Sequence, residues 1–444
     1  MNYLIPLFGI LLSFNSISQS TVEDSIWFDH DQSFRKIKVW LPASYDTSKT
    51  YQTIYCLDAS FLFNPLISSV EIYSDQDVAK IPPSIVVGLY FNHRNNDMGI
   101  KWENGSINET GIEFMTFIDS ALIPHIESKY SVSNYKSIVG HSNSSSFIHF
   151  FLWKETPTFQ SYLSMSEFEF NNDASNFCNL NIPNNKPVDF TVISGKLDAP
   201  YRFKSGLKLE QIIDSCKISN FNFKHIILED ADHLTMVPQG IPLGLEALYS
   251  SFAFKQLDTS SLNLQIGDQE VIHFMNHRVK TRSEKYGVIE AYSFDDLNQL
   301  YDIYVHRKDS INIHWATEKY VELTNDSSEY FYEAQHFEMM GAYNLAEQSY
   351  LKHLEYYFSP GEWSYKRIVW LYMGKLKQPD KAIYWADMAY LKLGNTDFID
   401  LMVKIALKNK LYKKRVKSIL KSYHKNASTE EQKDFLNSKQ GLIN

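Results

Sequence analysis

The chain has 444 residues, 44% of them hydrophobic, with 28 Tyr and 29 Phe to fill cores. That length calls for about two domains, and the composition excludes a disordered chain. The net charge of −9 is spread thinly; no basic tract is read from it, which argues against nucleic-acid binding.

At the start, Leu4 to Phe14 is apolar apart from Pro6, Gly9 and Ser13, and Ser16-Ile17-Ser18 offers a small-x-small site before Gln19. This is the layout of a secretory signal peptide over residues 1–18. It predicts an exported chain, periplasmic or secreted. The run is too short to cross a bilayer, and no membrane span is expected in the mature chain.

Over residues 22–256, short apolar runs alternate with longer helical patterns, which predicts an α/β domain with a mainly parallel sheet. The predicted strands are Ile37–Leu41, Thr53–Leu57, Ser84–Leu89, Ser137–Val139, Tyr162–Met165, Asp189–Ile193 and Lys224–Leu228. Between them, Ile112–Tyr130 carries Phe114, Phe117, Ile118, Leu122 and Ile126 close to a helical period. Tyr201–Cys216 and Leu243–Phe254 read the same way. The polar stretch around Asp258-Thr259-Ser260-Ser261 marks a linker over 257–267.

Beyond it, 268–425 is predicted to be helical, through His273–Tyr286, Ser293–Tyr304 and nearly all of Tyr330–Tyr423. Two segments there resemble one another. One has Gly341, Tyr343, Ala346, Tyr350 and Leu354, then Pro360. The other has Trp370, Gly374, Ala382, Ala386 and Ala389. Small residues at these places let paired helices approach, and the spacing fits the roughly 34-residue tetratricopeptide (TPR) period. A TPR-like partner surface and an ordinary helical bundle are both open.

The three cysteines are Cys56, Cys178 and Cys216. No CxxC or Cys/His spacing occurs, so no metal site is expected. A Cys178–Cys216 disulfide and three free thiols are both open.

The chemistry concentrates in Ser137-Ile138-Val139-Gly140-His141-Ser142-Asn143-Ser144, a strand running through Gly-x-Ser-x-small into a helical stretch. A sharp strand-to-helix turn of this kind presents a serine hydroxyl. Gly140 and Ser144 are small because two backbones meet there. The helix N-terminus brings backbone N–H groups beside Ser142, with that of Asn143 as an oxyanion donor. A serine hydroxyl needs a base. The order serine, acid, histidine then selects His233, in the loop after the last strand, and Asp198, in the loop after the strand before it. His225 lies inside a strand and Glu210 on a helix. Asp230 and Asp232 are poorly placed to reach the distal ring nitrogen. The second oxyanion donor is expected after Leu57-Asp58, from the N–H of Ala59 or Ser60; Asp58 itself is either functional or, as favoured, the cap of the helix that follows. No cofactor is required. The segment from Met165 to Pro187 is expected to cover the pocket.

Taken together, four stretches resemble the putative-esterase family of α/β-hydrolases, which includes enterochelin (siderophore) esterases, S-formylglutathione hydrolases and feruloyl esterases. They are Tyr55-Cys56-Leu57-Asp58-Ala59; Val86-Val87-Gly88 with Asn92-His93-Arg94-Asn95-Asn96-Asp97; Gly140-His141-Ser142; and His233 to Pro238 with Gly244-Leu245. The resemblance implies an α/β-hydrolase fold and a serine esterase cleaving a carboxylic or thioester of a small molecule through an acyl-enzyme. It matches Ser142 to the nucleophile, His233 to the base and Asp198 to the acid, and implies an ion pair of Arg94 and Asp97 at the pocket rim. Two departures stand out: Ser144-Ser145 replaces Gly-Gly, and Asp58-Ala59 replaces Asp-Gly. The two elbow serines motivate an alternative, a catalytically inactive hydrolase-fold binding module with a TPR-like partner surface. A peptidase on the same fold is a third reading.

Overall fold

A computed structural model of the chain describes residues 20–253, 268–288, 292–408 and 412–443, apart from 44, 76 and 77. The expected signal peptide and linker lie outside the described residues. The described chain divides into two compact units, one ending at Asp295 and the other beginning at Asp296.

The first unit opens with β1 (Ser20–Phe28), β2 (Ser33–Leu41), β3 (Tyr51–Cys56), α1 (Ala59–Tyr73) and β4 (Ser84–Leu89). A short segment follows, made of α2 (Arg94–Met98) and the hairpin β5 (Ile100–Lys101) and β6 (Ser106–Ile107). Next come α3 (Glu109–Phe117), a π-helical turn over Ile118–Leu122, α4 (Ile123–Lys129) and β7 (Val132–His141). After β7 stand α5 (Asn143–Phe147), α6 (His149–Leu152), β8 (Ser161–Met165) and α7 (Asp173–Cys178). The unit closes with β9 (Val188–Gly195), α8 (Pro200–Cys216), β10 (Phe221–Leu228), α9 (Met236–Leu248) and α10 (Asp268–Tyr286).

Eight strands form one sheet in the order β1-β2-β4-β3-β7-β8-β9-β10. The β1/β2 and β2/β4 pairs are antiparallel and the rest parallel. Side chains alternate between its faces, as a strand's period of two requires. Val39 of β2, Tyr55 of β3 and Val87 of β4 enter one core with Phe114 of α3 and Leu209 of α8. Their neighbours Trp40, Ile54 and Val86 enter the opposite core with Leu66 of α1 and Leu245 of α9. Burial on both faces is why these strands read as unbroken apolar runs.

All seven predicted strands are present. β1 was not predicted, although it pairs with β2 along its whole length. Its inward side holds Asp24 beside Ile26 and Phe28, which spoils the alternation. The carboxylate is tolerated because His125 Nε2, at 2.8 Å, and Lys129 Nζ, at 2.6 Å, meet it. Cys178 and Cys216 are joined by a disulfide that ties α7 to the end of α8, and Cys56 is a buried free thiol.

The helix α10 belongs with this unit rather than opening the helical domain. Tyr286 is fully buried against Tyr135, with ring centroids 4.7 Å apart. Lys285 Nζ lies 2.8 Å from Asp189 Oδ2, and Arg282 Nε donates to the carbonyl of Phe252 at 2.9 Å.

The second unit is all helical: α11 (Phe294–Arg307), α12 (Ser310–Thr324), α13 (Glu329–Met339), α14 (Tyr343–Tyr356), α15 (Glu362–Gly374), α16 (Pro379–Leu393), α17 (Asp397–Lys408), α18 (Lys413–Asn426) and α19 (Glu430–Ile443). α13 packs on α14, and α15 on α16. Ala346, Ala382, Ala386 and Ala389 are fully buried, as close helix approach requires. Gly341 supplies the left-handed turn between α13 and α14, at φ 77°. The buried carboxylate of Glu333 joins three helices, meeting His314 Nδ1 at 2.8 Å and Ser349 Oγ at 2.6 Å. α18 carries Lys413, Lys414, Arg415, Lys417, Lys421 and Lys425, which corrects the reading that the chain holds no basic tract.

Candidate active site

The chain passes from β3 out to β4, then returns across β3 to β7 and continues to β8, β9 and β10. Strand order therefore reverses between β3 and β7. In open α/β sheets the crevice at the carboxyl ends of the strands at such a point is where ligands bind. Every residue singled out from the sequence sits along this edge: Asp58 and Ser60 after β3, Ser142 after β7, Asp198 after β9 and His233 after β10.

Ser142 sits on a strained turn, at φ 61° and ψ −127°. Its N–H donates to Met165 O at 2.9 Å, and its carbonyl accepts from the Ser145 N–H at 3.1 Å and from Ser145 Oγ at 2.6 Å. A Cβ on Gly140 would stand 2.5 Å from the Ser144 carbonyl oxygen, so glycine is obligatory there. The helix expected after the serine is broken into α5 and α6, both short. Its dipole adds little, and any donor role falls to the Asn143 N–H itself.

His233 and Asp198 are in contact: Nδ1 lies 3.0 Å from Oδ1. Asp198 is almost wholly buried. Burial raises a carboxyl pKa, but here the His233 ring, the Ser166 hydroxyl and the Ala199 N–H outweigh it, holding Asp198 below the ordinary carboxylate range. Asp230 and Asp232 take no part in this contact. Asp232 Oδ1 accepts from the Leu234 and Thr235 N–H groups at 2.9 and 2.8 Å, which shapes the His233 turn. His225 bridges Ser194 Oγ at 2.9 Å and Glu210 at 3.0 Å, away from the crevice.

Three further residues that sequence reasoning missed brace this group. His141 is pulled down to about 4, first by burial and then by the nearby His233. It is therefore neutral at pH 7, and its Nε2–H donates to the His233 carbonyl at 2.7 Å. Ser166 reaches both Asp198 and His233, and Arg202 reaches Asn143. Nothing in the sequence around Ser166 or Arg202 marks them, because their partners come from other strands and loops. His141 lay inside the elbow motif, where the serine drew the reading.

On the β3 side, Asp58 precedes α1 in a left-handed conformation and makes no side-chain cap, contrary to expectation. Its carboxylate is gripped by Arg94, Nε at 2.5 Å and Nη2 at 2.7 Å, and by Ser144 Oγ at 2.7 Å. Arg94 Nη2 also donates to the His141 carbonyl at 3.1 Å. Arg94 and Asp97 do not pair with each other. Asp97 is buried against Arg35, with both oxygens 2.9 Å from the guanidinium. Ser144 and Ser145 are fully buried. Their hydroxyls bind Asp58 and the Ser142 carbonyl, so neither crowds the cleft.

A cleft of about 680 Å³ opens here, lined by Ser142, Asn143, Asp198, Arg202 and His233 with Leu197, Tyr201 and Leu234 at its mouth. Those last three are more than half exposed, giving the entrance an apolar rim. Ser60 does not line this cleft, and neither does the segment from Met165 to Pro187. The wall comes instead from the loops after β9 and β10. Among residues whose side chains are described, no cluster of three metal-ligating side chains occurs.

Among curated proteins none matches the chain. Solved structures share its fold, two of them as follows. One is an uncharacterised protein from Capnocytophaga ochracea, 17% identical at a TM-score of 0.60, the match covering 80% of this chain and 100% of that one. The other is an IroE-like serine hydrolase from Shewanella oneidensis, 18% identical at a TM-score of 0.53, covering 69% and 100%. At such identities the likeness speaks for fold alone. The family described as "Putative esterase" matches residues 32–174, a stretch that includes Asp58, Ser142 and Asn143 and stops short of Asp198 and His233. Residues 32–174 thus carry the likeness to the putative esterase family, and the unit that contains them has the α/β-hydrolase fold, which supports an esterase-type hydrolase.

Proposed function

We propose that the first unit is a serine esterase acting on a small-molecule carboxylic or thioester. Ser142 Oγ attacks the ester carbonyl while His233 Nε2 takes its proton. The backbone N–H of Asn143, which lines the cleft, receives the developing oxyanion. His233 returns the proton to the leaving alcohol or thiol, and an acyl-enzyme remains. Water, deprotonated by His233, then releases the acid. Asp198 fixes the proton on Nδ1 and stabilises the imidazolium. The observation that carries this reading is the 3.0 Å contact of His233 Nδ1 with Asp198 Oδ1 on the wall of the cleft that Ser142 also lines. The apolar rim of Leu197, Tyr201 and Leu234 suits an ester with an apolar flank.

The inactive-module alternative rested on Ser144 and Ser145. Both hydroxyls are engaged away from the cleft, which weighs against it. Export is part of the proposal, supported by the Cys178–Cys216 disulfide, a bond that persists in oxidising compartments. The second unit is proposed as a partner surface, supported by the half-exposed indoles of Trp363 and Trp370 on α15.

The test is hydrolysis of short-chain p-nitrophenyl esters by the full chain beside Ser142→Ala. Turnover that disappears in the variant supports the esterase. Turnover that survives in it removes Ser142 from the mechanism.

A further inference from the structure

Ser166 follows β8 and adopts a left-handed conformation, φ 57°. A glycine would hold that turn at lower cost. What the serine adds is a hydroxyl that is almost entirely buried and points across to the loop after β9. Ser166 Oγ donates to Asp198 Oδ2 at 2.5 Å and lies 3.0 Å from His233 Nδ1. Its single proton is committed to the carboxylate, so a lone pair faces the ring N–H. The imidazole is therefore held at two points, by Asp198 and by Ser166.

The other end of Ser166 is tied as well. Its N–H donates to Ile193 O at 2.9 Å, and its carbonyl accepts from Arg202 Nη1 at 2.5 Å. The same guanidinium donates through Nη2 to Asn143 Oδ1 at 2.7 Å. Arg202 is largely buried, and the two acceptors its Nη groups bind are neutral. Direct hydrogen bonds thus run without a break from His233 through Asp198, Ser166 and Arg202 to Asn143. Neighbouring Glu167 is fully buried, and burial raises its carboxyl well above the usual value.

We propose that Ser166 is a positioning residue for the Asp198–His233 pair, and that Arg202 is the strut that holds this pair in register with Asn143. The proposal rests on the serine-esterase reading for its effect on rate, but its geometry is measurable without turnover. Loss of the Ser166 hydroxyl removes a donor to Asp198 and an acceptor for the ring N–H together, so the imidazole is left with one point of support.

The experiment compares the full chain with Ser166→Ala and Ser166→Gly. The Gly variant relieves the backbone strain and guards against a folding defect. His233 is titrated by NMR, its ring signals assigned with His233→Gln, and p-nitrophenyl ester kinetics are run in parallel. The expected result is a His233 titration displaced from that of the wild type in both variants, with kcat lower by about tenfold or more and KM within about twofold. Arg202→Lys should lower kcat and leave the His233 titration in place. A His233 titration unmoved in both Ser166 variants overturns the proposal, whether or not kcat has fallen. If the wild-type chain turns over no ester, the esterase reading fails and the titration still decides the role of Ser166.

Discussion

The conformation of Ser142 makes a prediction that sets stability against function. At φ 61° and ψ −127° a side chain is crowded by its own backbone, and such a residue costs about 1–3 kcal/mol. Backbone bonds to Met165 O and from the Ser145 N–H hold the turn. They do not involve the Ser142 side chain, so the turn persists when it is replaced. Ser142→Ala keeps the strain and loses only the hydroxyl. Ser142→Gly sheds the strain but gives up about 0.5–1 kcal/mol to the freer unfolded chain. With a strain near the middle of its range, the difference is about 1 kcal/mol in favour of glycine, or roughly 2–4 °C in Tm for a unit of this size. Calorimetry of the two variants in the full chain measures it. Ser142→Gly melting at or below Ser142→Ala would mean the elbow stores no strain, and the account of how the hydroxyl is presented would be wrong.

Other consequences are equally direct. Asp198→Asn should leave KM within a few-fold and lower kcat by about 10³–10⁴, because the amide favours the wrong ring tautomer; a loss under about tenfold would assign the acid's role elsewhere. His141 makes stability fall with acidity. Its pKa is depressed to about 4 in the fold, so between the unfolded value near 6.5 and 4 the unfolded chain takes up a proton that the folded one refuses. Urea unfolding should lose about 3 kcal/mol across that window, and His141→Gln should flatten the loss; an identical slope in the variant would contradict it. The disulfide closes a separation of 38 residues, so Cys178→Ser with Cys216→Ser should cost about 4 kcal/mol, read by the same unfolding under oxidising conditions.

The sheet was legible because its inner strands are buried on both faces, which leaves apolar runs such as Ser84–Leu89 that nothing else explains. β1 was hidden because its inward row includes Asp24, which becomes acceptable only through His125 and Lys129 on α4. The places of Ser142, Asp198 and His233 could be read because each follows a strand and the order of roles along the chain is constrained. Asp58 was misread as a cap because its partners Arg94 and Ser144 lie far off in sequence, where no local pattern reveals them. The same holds for Ser166 and Arg202, whose significance depends on adjacent strand ends meeting at one crevice. The wall of the cleft was misplaced for a related reason: an Asn-rich loop looks like a lid, but which loop faces the crevice is set by strand order.

On the proposed mechanism Ser142 is an activated nucleophile facing an open cleft. Incubation of the full chain with a fluorophosphonate probe, followed by peptide mass spectrometry, tests it most directly. A single adduct on Ser142 that His233→Gln suppresses is expected. An unmodified Ser142, or an adduct on another serine that survives His233→Gln, would contradict it.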